Sequence, residues 1–218
     1  MEEIVISITK KAVETKLIAA LLELLSNEEF ILRKKDKGIL RKTKMGFDRF
    51  GFDVLNYWPY CTEIESVSFS IRFNTIEEIT FPIRVRNGLI ASMEFAKTST
   101  TVHGGREFNI KLFNEKDVDN FIHAHINKIK EDGLSFFYKY NDIMSVNVFY
   151  KNRVLNGEEG ISDTINPIMT SLTLMKLCDD RDFDGMKIKY RQILKSLDGM
   201  EKETFAAYDD LVEYLSKL

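Results

Sequence analysis

The hydrophobic positions of this chain change period twice. Over residues 8–26, Val13, Leu17, Ala20, Leu21, Leu24 and Leu25 recur every three or four residues, with Lys10, Lys11, Glu14 and Lys16 mainly on the opposite side. That spacing predicts an amphipathic helix closed by the polar pair Ser26-Asn27. From residue 29 to 113 the period falls to two. Phe30-Ile31-Leu32 and Ile39-Leu40 predict strands around a tight turn at Asp36-Lys37-Gly38, with Gly38 supplying a positive φ. Val67, Phe69, Ile71 and Phe73 alternate with Ser68, Ser70, Arg72 and Asn74, as in a strand with one buried and one wet face. Phe81–Arg86 and Leu89–Phe95 flank Asn87-Gly88, a dipeptide that predicts a hairpin, and Phe108–Phe113 predicts a further strand.

From Asn114 the spacing is helical again. Asn114 reads as a cap with Asp117 in the first turn. Val118, Phe121, Ile122, His125 and Ile129 form the inner stripe of a helix that Gly133 would end, before a short amphipathic segment Leu134–Tyr140. Asn166-Pro167 opens a helix to about Leu177. Met186, Tyr190, Ile193, Leu194 and Leu197 form a stripe that stops near Gly199, and Tyr208, Leu211, Val212, Leu215 and Leu218 form the last. Lys97–Arg106 and Asn152–Asp163 read as loops. The order predicts a single α+β domain over residues 1–218. Residues 1–113 would form a helix plus a largely antiparallel sheet of roughly five to seven strands. Residues 114–218 would form a helical half packed mainly on one face.

Composition narrows the class. The chain has 218 residues, 31 Lys plus Arg against 34 Asp plus Glu, three Pro and two Cys. That excludes collagen, low-complexity disorder and a small disulfide scaffold. Cys61 and Cys178 are far apart, so neither a zinc ligand set nor a redox pair is indicated, and two free thiols suit a reducing compartment. Glu2 and Glu3 stand where a secretory leader carries positive charge. The longest apolar run, Leu17–Leu25, is less than half of the about 20 residues needed to span a bilayer. The expectation is a soluble cytoplasmic protein with no membrane contact, metal or cofactor.

Charge distribution supplies the candidate surface. Arg33, Lys34, Lys35, Lys37, Arg41, Lys42, Lys44 and Arg49 outweigh Asp36 and Asp48, so residues 33–49 carry a net +6 and the rest of the chain −9, against a total of −3. Phe47, Phe50, Phe52, Tyr57, Trp58 and Tyr60 follow closely. Cations neutralise phosphates and rings stack on unpaired bases, so RNA or single-stranded DNA is one candidate ligand. An acidic protein surface is another. Lys and Arg also serve simply to keep a sheet edge soluble. Arg49-Phe50-Gly51-Phe52 echoes an RNA-recognition strand motif without its leading Gly.

Other motifs carry less chemistry. Asp180-Arg181-Asp182-Phe183-Asp184-Gly185 matches the first half of a calcium loop, but its twelfth position is Arg191 where a bidentate Glu belongs. His123 and His125 are two apart on a helix and so point to nearly opposite sides, and His125 reads as a core residue. His103-Gly104-Gly105 lacks a companion nucleophile motif, and no phosphate-cradling Gly pattern occurs. For an enzyme with a site assembled from distant residues, Asp119, His123 and His103 are the candidate side chains.

The opening helix followed by Glu29-Phe30-Ile31-Leu32-Arg33-Lys34-Lys35, the alternating strand Val67–Phe73, the helix Asp117–Lys130 running into Leu134-Ser135-Phe136-Phe137-Tyr138-Lys139-Tyr140, and the helix from Asp182-Phe183 to Leu194 resemble a family of small bacterial domains of unknown function. The segment Ile76–Arg106 departs from that pattern. The resemblance implies no catalytic residues and is compatible with accessory or immunity-type binding proteins. The sequence therefore points to a non-catalytic protein-binding module. Its candidate site is Arg33, Lys34, Lys35, Lys37, Arg41, Lys42, Lys44, Arg49 and Trp58, facing an acidic partner. RNA or single-stranded DNA binding, and an assembled catalytic site, are the alternatives.

Overall fold

A computed structural model describes residues 8–33, 38–57, 59–91, 99–156, 165–196 and 201–218. Helix α1 (Lys10–Leu24) starts where the Thr9 hydroxyl accepts from the Ala12 N–H, and it buries Val13, Leu17 and Leu21 at helical spacing. Strands β1 (Ile31–Arg33), β2 (Gly38–Lys42), β3 (Gly46–Tyr57) and β4 (Cys61–Phe73) follow. After helix α2 (Asn74–Arg86) come β5 (Val102–Leu112) and the long α3 (Glu115–Lys139). Helices α4 (Ile143–Asn156), α5 (Ile165–Leu177), α6 (Phe183–Ser196) and α7 (Lys202–Ser216) complete the described chain. The five strands form one antiparallel sheet in the order β1-β2-β3-β4-β5. The fold is α+β, as the sequence pattern predicts.

The chain forms two compact units. The first comprises Met1–Arg72 and Val102–Lys139 and holds the sheet with α1 and α3. The second comprises Phe73–Thr101 and Tyr140–Leu218 and holds α2 and α4–α7. The chain thus leaves the sheet after β4, builds α2 in the helical unit, and returns to pair β5 with β4. Helix α5 is buried all round from Ile168 through Met175, with the Ser171 and Thr173 hydroxyls hydrogen-bonded to Tyr190 Oη and Met169 O. Tyr190, Leu194, Tyr208, Leu211 and Leu215 of α6 and α7 join it in this core.

In the sheet unit, α3 lies against the face that carries Phe50 and Phe69. The Phe50 ring packs on Phe30, Phe69 and Phe137 at centroid distances of 5.1–5.5 Å. Gly133 does not end α3. It sits inside the helix because the Phe50 ring occupies the space of a side chain there; a Cβ would fall 2.1 Å from that ring.

Several expectations are corrected. Phe81–Arg86 is helical, and Asn87-Gly88 ends α2 instead of turning a hairpin. The Gly88 N–H donates to Val85 O and the Leu89 N–H to Arg84 O, with Gly88 at φ 74°, which is a Schellman cap. Ile76, Thr80, Phe81 and Ile83 are buried at helical spacing, so tertiary burial overrides the β-branched local preference. Residues 102–106 are strand, not loop, and residues 152–156 belong to α4. Residues 92–98 and 157–164, which hold the remainder of those expected elements, lie outside the described residues, as does Gly199. Gly38 opens β2 without a positive φ; the Arg49 side chain crosses it, and a Cβ there would meet Arg49 Nε at 2.8 Å. The sequence pattern assigns no element to residues 46–57, which form β3.

Candidate functional site

The pleat sorts the basic segment into two populations. Side chains alternate along a strand, and Arg41 pairs with Asp48 while Lys42 pairs with Phe47 and Leu40 with Arg49. Asp48 shares the parity of Phe50, so Arg41 and Asp48 lie on the helix-bearing face. There Arg41 Nη2 donates to Asp48 Oδ2 at 2.8 Å and Nη1 to Glu28 Oε2 at 3.2 Å. Its guanidinium stacks 4.7 Å above the Phe30 ring. Burial raises the Asp48 carboxyl above the usual range, opposed by the hydrogen bonds and charge of Arg41. Arg41 is thus engaged inside the unit.

Arg33, Lys42 and Arg49 have the other parity. Their face of the sheet carries neither α1 nor α3. Lys42 is exposed, Arg33 and Arg49 are half-buried, and Lys44 is exposed in the β2–β3 turn. Lys34, Lys35, Lys37 and Trp58 lie outside the described residues.

The rest of that face can be read from the ladders. Ser66 Oγ donates to Asp53 Oδ2 at 2.7 Å, and Ser66, Ser68 and Ser70 pair with Glu107, Gly105 and His103. A bulge interrupts the ladder: Glu65 lies opposite both Phe108 and Asn109, and Asn109 takes φ 53°. Beyond the bulge Glu63 pairs with Lys111. Arg33, Lys42 and Arg49 stand on β1, β2 and β3, Asp53 lies four residues beyond Arg49 on β3 itself, and His103 and Glu107 stand on β5. Gly51, Ser68 and Gly105 run through the middle. Asp53, His103, Gly105 and Glu107 are exposed, Ser66 and Ser68 half-buried, and Leu40, Phe47, Ser70 and Arg72 buried.

The aromatic half of the expected patch divides as well. Phe47 and Phe50 are buried. Tyr57 and Tyr60 are exposed, the latter at 78%, but they belong to the β3–β4 turn, beyond Asp53 and away from the cations.

The candidate catalytic side chains are not brought together. His123 is exposed on α3, one turn from Asp119, whose carboxylate accepts from Lys16 Nζ at 2.9 Å. His103 projects from the opposite face of the sheet. His125 is half-buried, not in the core; its ring meets Phe108 edgewise and Phe121 at a tilt. It lines an open groove of about 350 Å³ between β5 and α3, with Ile110, Phe113, Asp117 and Asn120.

In the helical unit the titratable groups are internally compensated. Lys151 Nζ donates to Asp180 at 3.2 Å and to Asp182 at 2.5 Å, so an ammonium stands beside the calcium-like loop. Asp184 pairs with Lys187. No group of three or more potential ligands is placed to hold a metal among the described residues. Burial, then the carboxylates of Asp180, Asp142 and Asp179, raise the Cys178 thiol, which disfavours a nucleophilic thiolate. Buried Glu77 accepts from Arg84 Nη2 (3.0 Å), Ser99 Oγ (2.8 Å) and Thr101 Oγ1 (3.2 Å). Thr101 Oγ1 in turn accepts from the Phe73 N–H, and Tyr150 donates to Thr101 O. Sequence reasoning missed this network because a lone Glu in a helical stretch carries no signature.

No helix of the described residues is long and apolar enough to cross a membrane. Comparison with protein-family models, with curated proteins and with solved structures finds no match to this chain.

Proposed function

We propose that this protein is a non-catalytic protein-binding module that engages an acidic segment of a partner through the exposed cations on the side of its sheet opposite α1 and α3. The observation that carries the reading is the sorting of the basic run. Arg41 is engaged by Asp48, Glu28 and Phe30 on the helix-bearing face, whereas exposed Lys42, with half-buried Arg33 and Arg49, stands on the opposite face and exposed Lys44 in the adjoining turn. Cations there steer an acidic partner and set register more than they add raw affinity. Nucleic acid is favoured less, because Phe47 and Phe50, the rings interleaved with the cations, are buried and offer no stacking platform. The separation of His103 from His123 and Asp119 likewise favours binding over an assembled catalytic site.

The test is charge reversal. In the double variant Lys42→Glu, Lys44→Glu, both positions exposed, affinity capture by immobilised protein should lose its acidic partner while the urea midpoint stays close to that of the parent chain. Capture of the same partner by both chains would refute the reading. Gel-shift titration at low salt checks the nucleic-acid alternative; a steep, salt-sensitive shift would replace the proposal.

A further inference from the structure

The groove that His125 lines opens at the end of the sheet. Among the described residues no strand pairs with the outer side of β5, the last strand in the order. The groove is walled by the end of β5 (Ile110–Phe113) and by α3, with Phe121 and His125 on the helical side. No β4 residue lines it among the described residues, so it opens beyond the last strand, beside the β5 main chain. Its volume of about 350 Å³ falls within the range of sites that take a ligand. Phe113 is 50% exposed there.

An edge strand presents unpaired main-chain N–H and C=O groups on its outer side. At one end of this edge the Phe113 carbonyl already accepts from the Ile8 N–H at 3.3 Å, so main chain from elsewhere is seated against it. The bulge at Phe108 and Asn109 breaks the regular ladder, which confines further strand addition beside the groove to Ile110–Leu112. The charges of the groove are unequal in availability. Asp117 is engaged by the N–H groups of Phe113 and Asn114 at 2.8 and 3.2 Å. Lys111 stands opposite Glu63 in the ladder but makes no ion pair among the described residues. The charge left for an occupant is therefore positive.

We infer that the outer edge of β5 is a second docking site, which takes an extended segment of a partner as an added strand. The main chain of that segment pairs with Ile110–Leu112, an apolar side chain enters the groove against Ile110, Phe113 and Phe121, and a neighbouring carboxylate meets Lys111. The site is distinct from the cations on the side of the sheet opposite α1 and α3.

Backbone-amide NMR titration of the full chain tests it, with the blocked peptide Thr-Leu-Asp-Val-Thr as probe. Saturable shifts should appear at Ile110–Phe113 and Phe121–His125. The dissociation constant should rise about tenfold or more when the three central peptide nitrogens are methylated, because they can then no longer donate to β5. It should rise as much in Asn120→Trp, which fills the mouth of the groove, and in Lys111→Glu, which reverses its charge. Asn120 and Lys111 are exposed, so both variants should keep the fold. Lys42→Glu/Lys44→Glu should bind the peptide as the parent chain does, which separates this site from the cation surface. Absence of shifts at Ile110–Phe113 with millimolar peptide overturns the inference. So does binding that methylation and both groove variants leave unchanged. Binding lost only in Lys42→Glu/Lys44→Glu assigns the peptide to the cation surface and removes the second site.

Discussion

Replacing Gly133 with alanine sets helix propensity against packing. Gly133 lies inside α3, where alanine is the better helix former by roughly 1 kcal/mol. The new methyl, however, would stand 2.1 Å from Phe50 Cε1 and 2.4 Å from Cζ. Carbon atoms prefer about 3.5 Å or more, so the ring must retreat by about 1.4 Å. It has nowhere to go, because Phe50 is fully buried between Phe30, Phe69 and Phe137. Overpacking of a filled core costs roughly 1–3 kcal/mol, and a clash this short belongs at the upper end. The net expectation is a loss of about 2 kcal/mol, or roughly 4–8 °C in melting temperature for a chain of this size. Gly185→Ala in α6 is the control. A Cβ there meets nothing within 4 Å, so propensity acts alone and stability should rise by roughly 0.5–1 kcal/mol. Urea denaturation with parallel calorimetry reads both. A Gly133→Ala chain as stable as the parent would refute the packing argument.

The remaining expectations concern charge. Arg41→Ala should destabilise by about 2–4 kcal/mol, because it strands the buried Asp48 carboxylate and removes the stack on Phe30, while Lys42→Ala should stay within about 0.5 kcal/mol; urea midpoints decide. Glu77→Gln should cost about 2–4 kcal/mol and increase amide exchange around Phe73 and Thr101, because the Arg84 guanidinium keeps its charge without a carboxylate; unchanged exchange there would count against the network. Burial pushes the Asp180 carboxyl up, but the Asp182 N–H, the Asn147 amide and Lys151 outweigh it and hold the group below the ordinary carboxylate range. A depressed Asp adds stability above its unfolded pKa of about 3.9, and that stability is lost as pH falls through the folded value. Asp180→Asn should therefore flatten the acid limb of the stability–pH curve below about pH 4.

How far the pattern of residues foretold the fold depended on whether local and tertiary forces agreed. Helices α1, α6 and α7 bury one face against a wet one, so their periods are visible in the chain; β4 alternates in sequence, but the expected wet face is not found, because Ser70 and Arg72 are buried along with Phe69, Ile71 and Phe73. In α2, Ile76, Thr80, Phe81, Ile83 and Val85 are strand formers at the local level, and only their burial in the helical unit makes them a helix. Glycines misled for a related reason. Gly104 and Gly133 look like breakers, yet each stands where an aromatic ring, Phe136 or Phe50, takes the place of a side chain. The excess of cations at residues 33–49 was legible, but its division was not. Whether Arg41 or Lys42 faces the core follows from the pairing of β2 with β3, which is a long-range property. The signal that could have found Asp53 is the alternation of β3 itself, since it shares the parity of Arg49.

The most direct test of the side of the sheet opposite α1 and α3 as the binding surface is a backbone-amide NMR titration of the whole chain with poly-glutamate. The account predicts shifts that cluster on Arg33, Lys42, Arg49 and neighbouring Ser68, with affinity that falls as salt is added. Shifts centred on the His125 groove or the Lys151 loop, or no shifts at all, would contradict it.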